Sequence, residues 1–77
     1  MNIEHLASMA NDISNFFHAE PDHEVAVDSI AGHLKKFWEP RMRKQIVAYA
    51  QSDQHGDLKP LAREGVLRLA DLDAANV

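Results

Sequence analysis

The chain has 77 residues, 45% of them hydrophobic, no Cys, and a formal net charge of −4. That length bounds it to one small domain, residues 1–77, whose core rarely supplies more than about 3–5 kcal/mol without a staple or a partner. The missing Cys excludes disulfides, thiolate metal sites, iron–sulfur ligation and a cysteine nucleophile, and the acidic balance argues against generic nucleic-acid affinity, which needs clustered positive charge.

Apolar residues recur at helical spacing from end to end. Ile3, Leu6, Met9/Ala10, Ile13 and Phe16/Phe17 form the first stripe and predict a helix over 3–18. Asn2 can cap it, with Glu4 at the positive end of its dipole. Neighbours on a helix are about 100° apart, so only one of Phe16 and Phe17 can face a narrow core, and the other widens the stripe or is exposed. Pro21 stops the pattern, and Asp22 caps the next helix, 23–38, whose stripe is Val27, Ile30, Ala31, Leu34 and Phe37/Trp38. Pro40 pushes the residue before it out of the helical region and suits the first position of a third helix, 40–52, carrying Met42, Ile46, Tyr49 and Ala50.

Ser52 to Asp57 reads as a loop around Gly56. A fourth helix, 58–70, opens at Asp57 or Lys59 and presents Leu61, Ala62, Gly65, Val66 and Leu69. Gly65 costs about 1 kcal/mol there relative to Ala, which points to close approach of another helix. Glu64 and Arg68, four apart, can pair on its surface. From Asp71 onward the sequence reads as a frayed tail. The expected fold is all-α, a small bundle of three to four short helices.

Catalytic chemistry is hard to assemble from these residues. The five His never fall at the three- or four-residue spacing that puts two imidazoles on one helical face. A Ser–His–Asp set drawn from Ser29 or Ser52 lacks a nucleophile elbow and a body large enough to exclude water. Gly32, Gly56 and Gly65 are isolated, so no phosphate-cradling loop exists. No catalytic, metal-binding or cofactor-binding residue is assigned. Residues 1–17 lack a basic start and an unbroken apolar run, so no export signal is expected there, and no stretch is long enough for a membrane span. A cytoplasmic protein is the expectation.

The stretch from Gly32 to Lys44 holds five of the eight Lys/Arg residues and the only Trp. Before Lys35 every charged residue is acidic, His apart. Arg41 and Arg43 stand at the start of a helix, where the dipole disfavours cations by about 0.3–1 kcal/mol each. Residues that work against local stability suit a partner, and Arg and Trp are the types that dominate contact hot spots. The opposing reading is that Phe37 and Trp38 close the core while the charges are solvated or Glu39 pairs with Arg43.

Three segments carry a family resemblance: Leu6 to Ile13 leading into Phe16-Phe17; Ile30 to Arg43 with its run Phe37-Trp38-Glu39-Pro40-Arg41-Met42-Arg43; and Leu58 to Glu64. In these the chain resembles the small delta subunit of bacterial NAD-dependent, molybdenum-containing formate dehydrogenases. The resemblance implies a non-catalytic accessory subunit without a cofactor. Its partner would be the large subunit, which carries molybdenum-pterin and iron–sulfur clusters, and the role implied is assembly or stability of the active complex. A partner-contact role falls on Trp38, Pro40, Arg41, Met42 and Arg43. The residues alone leave two alternatives. One is a helix–turn–helix nucleic-acid binder, weakened because Ile46-Val47-Ala48-Tyr49 follow Lys44 where base-reading residues belong. The other is a module that self-associates through its apolar stripes.

Overall fold

In a computed structural model, which describes residues 2–53 and 55–75, the described residues form four helices: α1 (Ile3–Phe17), α2 (His23–Phe37), α3 (Pro40–Gln51) and α4 (Pro60–Ala75). Gln54 of the expected loop, and Met1, Asn76 and Val77 at the ends, lie outside the described residues. The starts of α1 and α2 follow from their caps. Asn2 Oδ1 accepts from the Glu4 N–H at 2.8 Å, and Asp22 Oδ1 accepts from Glu24 and Val25 N–H at 3.0 and 3.3 Å. Glu39 gives α3 no side-chain cap, and Pro40 at its first position removes one of the orphan donors.

The apolar stripes meet in one core in which Leu6, Ala10, Ile30, Leu34, Ile46, Ala62, Val66 and Leu69 are fully buried. The most extensive pairing is α2 with α4. Gly65 makes it: a Cβ built there would lie 2.7 Å from Ile30 Cβ and closer still to Ile30 Cγ2, so the two backbones approach to a distance only Gly permits.

Side chains tie the helix ends to one another. Asn11 on α1 donates from Nδ2 to the Asp57 carbonyl at 2.7 Å and accepts the Lys59 N–H on Oδ1 at 2.8 Å, pinning the chain just ahead of α4. Tyr49 Oη accepts the Asp57 N–H at 3.2 Å on the other side of the same loop. Arg63 Nε donates to the Ala50 carbonyl at 3.0 Å, satisfying an end group of α3.

Three expectations change. First, α4 opens at Pro60 rather than 58, because Leu58 turns into the core and Lys59 is held by Asn11. It also continues to Ala75, past the expected tail at Asp71. The Asp73 carboxylate lies 3.8 Å from Lys35 Nζ and 3.7 Å from Arg43 Nε, so the last turn has partners on two other helices. Second, Glu64 and Arg68 do not pair with each other. Arg68 donates to Glu24 and Asp28 of α2, and those bonds, Glu24's first, hold its guanidinium above its ordinary pKa; Glu64 meets His23 Nε2 at 2.6 Å. Third, Arg43 turns away from Glu39 to α2 and α4.

Candidate partner interface

The elbow between α2 and α3 begins with Trp38, whose backbone is extended (φ −92°, ψ 141°) and whose N–H donates to the Leu34 carbonyl at 2.9 Å. That turn drives the indole into the core, where it keeps 6% of its exposure. Met42 packs half-buried against the same core. Pro40 and Arg41 are exposed.

Arg43 has a structural task. It donates from one terminal nitrogen to the Lys35 carbonyl at 2.7 Å, and its side chain keeps 19% of its exposure. A guanidinium at the C-terminal end of α2 satisfies an end carbonyl and complements the negative end of the dipole. Arg41 differs: among the described residues it has no hydrogen-bond or ion-pair partner. Of the five elbow residues expected to meet a partner, the structure thus brings Pro40 and Arg41 to the surface, keeps Met42 and Arg43 half-covered, and commits Trp38 to the interior.

The aromatic residue presented outward at this elbow is Phe37, 65% exposed. It follows His33 by four residues and shares that flank of α2, with ring centroids 4.8 Å apart. The row continues across to α1: His33 lies 6.5 Å from Phe17, and Phe17 meets Phe16 edge-to-face at 5.0 Å. Phe16 is 78% exposed. Lys36 Nζ sits 5.5 Å from the Phe37 centroid, within cation–π range.

Single exposed apolar residues are ordinary on a protein surface; a connected row of three Phe rings and an imidazole is the kind of patch that marks a contact site. The row runs from the end of α1 to the basic elbow, where Lys36 and Arg41 add charge. Sequence periodicity left open which of Phe16 and Phe17 is exposed and placed Phe37 in the core stripe. The available signal for Phe37 was its four-residue spacing from His33, away from the Leu34–Trp38 pair at the centre of the stripe.

Among the described residues no three His, Asp or Glu side chains gather where they could hold a metal, and no helix is long and apolar enough to cross a membrane. The family model described as NADH-dependent formate dehydrogenase delta subunit FdsD matches residues 5–66 of the chain. The matched span includes the aromatic row and the whole elbow, and stops within α4. No curated protein and no solved structure matches the chain.

Proposed function

The chain belongs to the family of NADH-dependent formate dehydrogenase delta subunits, and from that premise we propose that it is a non-catalytic accessory subunit. It binds the molybdenum-pterin and iron–sulfur large subunit in the cytoplasm and favours the assembled complex. The observation that carries this reading is the aromatic row whose two ends, Phe16 and Phe37, are exposed while Phe17 and His33 between them are half-buried, with the unpaired Arg41 four residues beyond Phe37.

Magnitudes decide how much surface the contact needs. Burying one Phe side chain contributes about 1.5–3 kcal/mol, whereas association costs about 4–15 kcal/mol in lost freedom. Phe16 and Phe37 together barely offset the lower bound. A standard interface takes about 800 Å² from each partner, about one-sixth of this chain's 4910 Å² of accessible surface. The row, Pro40 and Arg41 therefore act as the anchor of a larger footprint. Trp38 contributes by fixing where the elbow points, and Arg41 by forking onto a carboxylate of the partner. A ligand shifts an assembly equilibrium only by binding the assembled state more tightly than its alternatives, and this surface supplies that difference.

The test is binding of the purified chain to formate dehydrogenase prepared without it. Phe16→Ser with Phe37→Ser removes two anchors at exposed positions; at about 2 kcal/mol per hot spot, each change weakens binding about 30-fold. Arg41→Ala weakens it further and reduces its salt sensitivity. Undiminished binding by the double variant overturns the assignment of the surface, and failure of the unaltered chain to bind overturns the function.

A further inference from the structure

Beside Arg43, α3 and α4 with the end of α2 line an open groove of about 620 Å³. Its lining combines the apolar Val47, Ala48 and Ala70 with the cationic Lys35, Arg43 and Lys44. Three cations gather here in a chain whose net charge is −4. The anion facing them is Asp73, at 3.7 Å from Arg43 and 3.8 Å from Lys35, both beyond hydrogen-bond length. Arg43 Nε is buried and has no hydrogen-bond acceptor among the described residues.

We propose that this groove seats an acidic segment of the partner subunit, and that Asp73 is the internal stand-in which that segment's carboxylate displaces. The inference rests on the reading of the chain as an accessory subunit and adds a second contact, separate from the aromatic row. Charge complementarity selects the occupant: three positive side chains answered by one carboxylate, which pairs with two of them, leave an excess that an entering Asp or Glu neutralises. Arg43 is already fixed by its bond to the Lys35 carbonyl at 2.7 Å, so little of its freedom is lost on binding. Asp73 sits in the last turns of α4 and keeps 37% of its side-chain exposure, so its displacement would release the end of α4 and not the buried core.

Two exposed or half-exposed positions test this in the same binding titration. Asp73→Asn keeps the side chain's shape and removes the competing charge. It is expected to tighten binding to formate dehydrogenase about two- to five-fold, the range set by a surface ion pair, and to steepen the dependence on salt. Lys44→Glu is expected to weaken binding about tenfold or more, as a like charge meeting the partner's carboxylate. Unchanged or weaker binding by Asp73→Asn at unchanged helical content overturns the proposal, as does a silent Lys44→Glu. If Asp73→Asn instead raises self-association in sedimentation equilibrium, the occupant is a second copy and the proposal fails. An unaltered chain that does not bind sinks both readings; an unaltered chain that binds while these two variants behave like it sinks this one alone.

Discussion

Gly65→Ala tests how the bundle is closed. On an open helix surface the change stabilises by up to about 1 kcal/mol, because Ala is the better helix former and the unfolded chain loses freedom. Here the added methyl would lie 2.7 Å from Ile30 Cβ and nearer to Ile30 Cγ2, both parts of a stiff, branched side chain that is fully buried. Relief requires α4 to move away from α2, its most extensive neighbour. Overpacking of this kind costs about 1–3 kcal/mol, which exceeds the propensity gain at all but its lower end. The net expectation is a loss of about 1–2 kcal/mol, or a fall in Tm of about 4–16 °C for a domain of this size. Far-UV circular dichroism followed through heat and urea measures it. Ile30→Ala in the same background removes Cγ2 and should recover part of the loss in a double-mutant cycle, even though Ile30→Ala alone leaves a cavity. If Gly65→Ala raises Tm, then Gly65 is not the point of closest approach.

Trp38→Ala is expected to cost about 3–5 kcal/mol, as large as the whole stability of a core this small, so the chain should be largely unfolded at 25 °C; a melt that matches the unaltered protein would contradict the buried placement. Asn11→Ala removes two hydrogen bonds that hold the entry to α4 and should cost about 1–2 kcal/mol, read as a lower urea midpoint at unchanged slope. Phe16→Ser with Phe37→Ser should leave Tm within a few degrees of the unaltered chain, since both rings are mostly exposed.

Helical periodicity, the two N-caps and the prolines made α1, α2 and α3 legible to within one residue at each end, the margin by which helix boundaries ordinarily vary. Gly65 was legible too, because an unfavourable residue inside a helix needs a compensating contact, and Ile30 of α2 supplies it. The end of α4 was not. Its last turn is held by Lys35 and Arg43, which are distant in sequence, and nothing local in Asp71 to Val77 signals them. The elbow was half legible. Its composition marked it as a contact region, yet periodicity could not separate the centre of a stripe from its edge, so Trp38 and Phe37 were read as one unit although one is buried and the other faces solvent. The arginines show the same limit. Arg43 and Arg63 act on carbonyls at the ends of α2 and α3, and Arg68 on carboxylates of α2, choices made by packing rather than by spacing.

The claim that this chain works by holding a larger enzyme, through an aromatic row and a basic elbow, is tested most directly by complementation. In a host lacking the chain, formate oxidation should fall, return with the unaltered chain, and stay low with Phe16→Ser/Phe37→Ser although that variant accumulates and remains helical. Formate oxidation that is indifferent to loss of the chain, or fully restored by the double variant, would contradict the account.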